Sequence, residues 1–146
     1  MGFQFSLAAV LRVRSAQEER EERILQEISG KIAQTLEMIA GIDAEISATS
    51  TARRSEVFKS MNGIYFRSAY AQIEDLKRRR DDLAKLVEEL RLLREKQLTI
   101  YEGARRNREL LSGMRDERQE SYEYDLTRRE QRSIDDRYMA RRGRAG

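Results

Sequence analysis

The chain has 146 residues, of which 38% are charged and 7% aromatic, with no tryptophan. Its 29 basic and 26 acidic residues leave a net charge of +3, and the signs are mixed along the chain. That pattern suits exposed helices rather than the like-charge blocks of disordered segments. The sequence has no proline, cysteine or histidine, which removes the strongest helix breaker, disulfides and thiolate metal sites, and the usual proton shuttle. No apolar stretch approaches the ~20 residues that cross a bilayer, and Met1–Leu7 lacks the basic and apolar regions of a secretory signal. A soluble, cytoplasmic protein is expected.

The first predicted element runs over about residues 4–50. Alternating steps of four and three from Leu7 reach Leu11, Arg14, Glu18, Glu21, Leu25, Ile28, Ile32, Thr35, Ile39, Ile42, Ile46 and Thr49. All but Arg14, Glu18 and Glu21 are Leu, Ile or Thr, so the row reads as a heptad seam that needs an apolar partner. Pairing is expected to loosen at the three charged positions. The small polar run Ser47–Thr51 marks where this helix is expected to end. Ser60-Met61-Asn62-Gly63 holds the best turn chemistry in the middle of the chain, which places a reversal within about 51–63.

The second element is expected over about 64–138, followed by a basic tail at 139–146. Its seam starts Phe66, Ala69, Ile73, Leu76, Arg80, Leu83. The apolar residues then shift in phase to Leu86, Leu90, Leu93, Gln97, Ile100, Ala104, Asn107, Leu111 and Met114. Two consecutive steps of three, from Arg80 to Leu83 to Leu86, predict a stammer that overwinds the coil. Exposed i,i+4 pairs are expected at Glu19–Arg23, Glu27–Lys31, Glu74–Arg78, Asp75–Arg79, Asp81–Lys85, Glu102–Arg106 and Asp125–Arg129. Gly30, Gly41, Gly103 and Gly113 lie inside the helices, each costing about 1 kcal/mol against alanine.

The resulting fold class is all-α, with two long helices in one antiparallel coiled-coil hairpin domain spanning 1–146. At 1.5 Å per residue the helices measure roughly 70 and 110 Å, so Leu7 falls opposite residues near 115 and the end of helix two overhangs. Pairing within one chain implies a monomer. The overhang contains Tyr122, Tyr124, Leu126, Ile134, Tyr138 and Met139 but no sustained seam.

No constellation for catalysis stands out, and neither an enzyme nor a cofactor is expected. The acid pairs Glu18-Glu19, Glu21-Glu22 and Asp135-Asp136 read as solvated charge without a convergent pocket. Lys77–Arg80 is flanked by Glu74, Asp75, Asp81 and Asp82, which neutralise it as a nucleic-acid patch. Residues 137–146 hold four arginines and no acid, a composition suited to an acidic partner. Phe3 and Phe5 admit two readings, a local cap against helix two or anchors for a partner. Ile64, Tyr65, Phe66 and Tyr70 exceed what one seam can hide, so at least one is expected at the surface.

Two end motifs add specificity. Phe3-Gln4-Phe5-Ser6-Leu7-Ala8-Ala9-Val10-Leu11-Arg12-Val13-Arg14, followed by Glu18-Glu19, resembles the N-terminal signature of the FliJ family of flagellar export proteins. Arg128-Arg129-Glu130-Gln131-Arg132-Ser133-Ile134-Asp135-Asp136 resembles the closing pattern of the same family. The resemblance implies a non-catalytic component of the flagellar type III export apparatus, peripheral to the inner membrane at the flagellar base. It implies a rotor-like stalk that enters the central pore of a hexameric export ATPase and promotes its activity. It also implies contacts with the membrane export gate and with export chaperones, with no membrane insertion and no nucleic acid.

On this chain the resemblance assigns the ATPase-contacting tip to Phe3, Phe5, Leu7, Leu11, Arg128, Arg129, Asp135 and Arg137. The gate-contacting surface falls on Tyr70, Ile73, Leu76 and Leu83. An injectisome stalk of the same type, a basic coiled-coil nucleic-acid binder and a dimerising scaffold are the competing readings.

Overall fold

The structure, a computed structural model, describes residues 2–57 and 63–145. Two α-helices account for nearly all of them, α1 (Ala8–Val57) and α2 (Gly63–Ala145), packed against each other as an all-α hairpin. The described residues include no strand. Helix α1 begins later than expected because Phe3–Phe5 are irregular, and it continues through Ser47–Thr51 to Val57. Within that polar run the Thr51 hydroxyl donates to the Ser47 carbonyl at 2.9 Å. Back-bonding of this kind lets a threonine stay inside a helix. Helix α2 continues through the expected basic tail to Ala145. Of the predicted turn residues, Ser60, Met61 and Asn62 lie outside the described residues, and Gly63 opens α2.

The chain divides into two compact units, Glu21–Tyr101 and a second made of Met1–Arg20 with Glu102–Gly146. In the first, Ile28, Ile32 and Val87 form a buried cluster, with Ile24, Ile39 and Leu90 packed against it. Ala69, Ile73 and Leu76 are also buried. Thr35 occupies a seam position at 6% exposure, its hydroxyl satisfied by the Lys31 carbonyl at 2.7 Å. The α1 seam therefore follows the heptad row read from Leu25 onward.

The α2 seam departs from its predicted course. Val87, at 3% exposure, is the most shielded of the core residues, whereas Leu86 is 41% exposed. From Phe66 the shielded positions run Ala69, Ile73, Leu76, Arg80, Leu83, Val87, Leu90, Gln97, Tyr101, Ala104, Arg108 and Leu111. With exposed Arg94 filling the one gap, this is an unbroken alternation of threes and fours. The expected stammer is absent. The sequence row mistook Leu86, Leu93, Ile100 and Asn107 for core. The true row contains Arg80 and Arg108, whose guanidinium groups pair with acids of α1, Arg80 with Asp43 at 3.3 Å and Arg108 with Glu18. A strict seven-residue repeat keeps the seam facing its partner without overwinding.

The outer surface carries ion pairs largely different from those the sequence suggested, among them Glu74–Lys77 at 3.7 Å and Arg105–Glu109 at 2.9 Å. Of the seven expected i,i+4 pairs, the described residues close Asp75–Arg79, at 3.2 Å. Arg106 instead donates from Nε to the Glu102 backbone carbonyl at 3.3 Å. Gly30, Gly41, Gly103 and Gly113 meet no neighbour within 4 Å of where a β-carbon would stand. Packing does not require glycine at any of them.

Candidate protein-binding surfaces

In the unit that joins Met1–Arg20 to Glu102–Gly146, the N-terminal aromatics fold back onto α2. The Ala8 N–H donates to the Phe5 carbonyl at 3.1 Å, and the Leu11 N–H donates to the Leu7 carbonyl at 2.9 Å. This turn directs Phe5 inward, to 9% exposure, beside buried Leu11. The Arg118 guanidinium lies 5.4 Å from the Phe5 ring centre, and its Nη1 donates to the Ser6 hydroxyl at 3.0 Å. Phe3 stacks on Tyr122 with ring centres 5.8 Å apart and planes tilted by 45°. A cation held over a ring contributes about 0.5–1 kcal/mol at exposed sites. Together these contacts clasp the start of the chain to residues 118–122.

Deeper in the same unit, the charged interruption of the α1 seam is closed by α2. Arg108 donates from Nε to Glu18 Oε2 at 2.6 Å and from Nη2 to Oε1 at 3.2 Å. The hydrogen bond from Arg108 holds the Glu18 carboxyl below the usual glutamate range. The nearby charges of Arg108 and Arg105 act in the same direction, against the opposing effect of burial. In the other unit, buried Gln97 donates from Nε2 to both the backbone carbonyl, at 3.1 Å, and the carboxylate of Glu21. The expected loosening at Glu18 and Glu21 is thus met by specific polar partners.

Beyond Tyr122 the character of α2 changes. Every residue from Glu123 to Arg144 is exposed. The contacts there stay within the helix, with Arg128 5.7 Å from the Tyr124 ring centre and Gln131 donating to Asp135 at 3.2 Å. Arg129, Arg132 and Arg137 share one shallow surface with Ser133, Asp136 and Ala140. Ile134, Tyr138 and Met139 are 58, 62 and 65% exposed. A helix in this state has apolar and cationic groups available to another molecule.

The chain matches the flagellar FliJ protein family over residues 3–146. It belongs to the FliJ family. No characterised protein and no solved structure matched it in the parallel comparisons. Family membership makes it a flagellar, export-related protein, and among the described residues no helix is long and apolar enough to cross a membrane. The described residues also contain no group of acids that could hold a metal ion.

The residues that the FliJ resemblance singled out divide into two sets. Phe5 and Leu11 are buried, and Phe3 and Leu7 are half-buried, all within the hairpin. Arg128, Arg129, Asp135 and Arg137 are exposed on α2. On the gate side, Ile73 and Leu76 are 6% and 5% exposed and Leu83 is half-buried, so these three serve the seam. Tyr70 is 59% exposed. It lines an open cleft of about 370 Å³ with Ile46, Ser50, Arg53, Arg54, Ile73, Glu74 and Lys77. As expected for the apolar cluster around it, Ile64 is also exposed, at 76%.

Arg118 and Tyr122 were not singled out as the residues that receive the N-terminal aromatics. Both fall on the heptad count from Phe66, and carrying that count past Leu111 would have found them.

Proposed function

We propose that this FliJ-family chain is a non-catalytic stalk of the flagellar export apparatus, acting through the α2 segment beyond Tyr122. The observation that carries the reading is the uniform exposure of Glu123–Arg144, a long helical stretch in which arginines alternate with Tyr, Ile and Met. In the proposal this segment and the adjoining Phe3–Leu11 clasp enter the central pore of the hexameric export ATPase. Arg128, Arg129, Asp135 and Arg137 meet the ring directly. Phe5 and Leu11 act indirectly, by holding the start of the chain against residues 118–122.

A single asymmetric helix in a six-fold ring touches its subunits unequally. It promotes turnover only if it binds one subunit state more tightly than another, because a ligand shifts an equilibrium by that difference alone. The stalk is peripheral to the inner membrane and links the ATPase to the export gate, with Tyr70 and its cleft as the gate-facing surface, and to export chaperones.

The test measures ATP hydrolysis and co-sedimentation of the hexameric ATPase with the full chain. Arg129→Glu/Arg137→Glu is expected to abolish stimulation and binding while helical content stays unchanged. Undiminished stimulation by that variant would overturn the assignment of the tip.

A further inference from the structure

Leu86, Leu93 and Ile100 are displaced from the core by Val87 and its heptad row, and they stand 41, 49 and 53% exposed. They are spaced by seven, so they form a straight apolar row along one flank of α2 within the Glu21–Tyr101 unit. On α1, Ile24, Lys31, Met38 and Glu45 occupy the corresponding heptad position, immediately before a seam residue, and the two charged ones are exposed. In an antiparallel pair those positions of the two helices share a flank. Ile24 is partly buried against the core and Met38 is 58% exposed. The column beside the α2 row carries Glu89 and Lys96, both exposed. Neither joins an ion pair among the described residues, whereas neighbouring Glu88 and Arg91 pair at 2.8 Å.

We infer that this flank is a self-association surface on which a second copy of the chain docks antiparallel, with the two-fold axis at Leu93. That arrangement sets Leu86 against the second copy's Ile100, Leu93 against itself, and Glu89 beside the second copy's Lys96. A two-fold interface uses the same patch twice, so each charge pair occurs twice. Parallel docking would carry the two charged columns to opposite flanks of the interface, so the Glu89–Lys96 pairs would not form. The few half-exposed aliphatic groups fall well short of the about 800 Å² per partner of a stable interface. The dimer is therefore weak and concentration-dependent. The surface lies outside the ATPase-facing tip, and the inference does not depend on the export reading.

Sedimentation equilibrium of the full chain from micromolar to millimolar concentration tests it. The mass is expected to rise from 17.2 kDa toward twice that value. Leu93→Glu, at a site already half exposed, should keep the mass at that of one chain with helicity unchanged. Glu89→Lys should weaken association at least several-fold, and Glu89→Lys/Lys96→Glu should restore it.

Because the chain has no cysteine, oxidative cross-linking reports the geometry. Leu93→Cys should link to itself, Leu86→Cys alone should not, and a mixture of Leu86→Cys with Ile100→Cys should. A constant mass at all concentrations would overturn the inference, as would self-linking of Leu86→Cys as fast as Leu93→Cys. So would a constant mass in which a helical partner from the export apparatus, rather than a second copy, protects Leu93.

Discussion

Arg108 on the second helix grips Glu18 on the first through two near-parallel hydrogen bonds, of 2.6 and 3.2 Å. The side chains are 30% and 15% exposed, so both charges are largely removed from water at a position where a coiled coil would ordinarily place a leucine. Desolvating an ion pair costs about as much as its attraction returns, and such a pair stabilises little compared with an apolar replacement. Its value lies in the pairing it enforces. A register slip of one heptad would set Arg108 against Leu11 or Leu25 and leave its charge half-buried without a counter-ion, as in coiled coils where one buried polar residue sets register.

Breaking and replacing this pair should therefore have opposite effects. Arg108→Met leaves the Glu18 carboxylate shielded and unpaired, and should destabilise the hairpin by about 1–3 kcal/mol. Glu18→Leu/Arg108→Leu should recover that loss or exceed it, at the expense of a unique register. Urea unfolding followed by circular dichroism measures the first effect. Distances between spin labels at the helix ends measure the second, as a broadened distribution.

The same pair sets a pH dependence. The Glu18 carboxyl titrates below its ordinary value of 4.5, chiefly because Arg108 hydrogen-bonds it. A carboxyl with a depressed folded-state pKa adds stability that is fully present above the unfolded value and lost as pH falls through the folded value. The stability advantage of the native chain over Glu18→Gln should be constant from pH 7 to about pH 5 and shrink below that. Paired thermal melts across this range check it. An advantage that stayed constant down to pH 3 would show that another group carries the acid sensitivity.

The unbroken second seam makes a contrast between adjacent residues. Val87→Ala removes two buried methyl groups, at about 0.8 kcal/mol each, and should cost roughly 1–2 kcal/mol. Leu86→Ala removes a larger side chain from a half-exposed site and should cost under about 0.5 kcal/mol. A stammer at Leu86 would reverse that order, so chemical denaturation of the two variants distinguishes the registers directly.

This contrast also marks how far the sequence could be read. The first helix was legible because its row from Leu25 to Thr49 is apolar at nearly every step, and burial at Ile28, Ile32 and Thr35 follows it. The second was legible in kind but shifted in register after Leu83. Leu86 stands beside the equally apolar Val87, and Leu93 and Ile100 are more apolar than Arg94 and Tyr101, so hydrophobicity alone could not choose between the two rows. The overhang followed from helix lengths alone, since Leu7 was expected near residue 115 and its neighbour Ser6 meets Arg118. The inward turn of Phe5 matches one of the two readings the sequence left open, a local cap against helix two, and the sequence could not choose between them. The turn depends on a backbone hydrogen bond from Ala8 and on Arg118, more than a hundred residues away.

On the proposed gate surface, burial separates residues that the sequence grouped. Leu76 is 5% exposed and Ile73 is 6% exposed. Leu76→Asp would bury a charge in the seam, and should cost several kcal/mol through local unfolding whatever the gate binds. Loss of gate binding in that variant would say nothing about contact. Tyr70 is 59% exposed, and its cleft is lined by Arg53, Arg54 and Lys77. Tyr70→Ala should leave the melting temperature within about 2 °C of the native chain, since exposed substitutions rarely matter to stability. If Tyr70 is a gate anchor, the same variant should lower affinity for the soluble domain of the gate by about tenfold, the effect of losing 1.4 kcal/mol at an aromatic anchor. Arg53→Glu/Lys77→Glu should reduce it further if the gate presents acids to the cleft. Titration calorimetry with unchanged affinity in both variants would move the gate contact off this face, and the intact fold would make that result decisive.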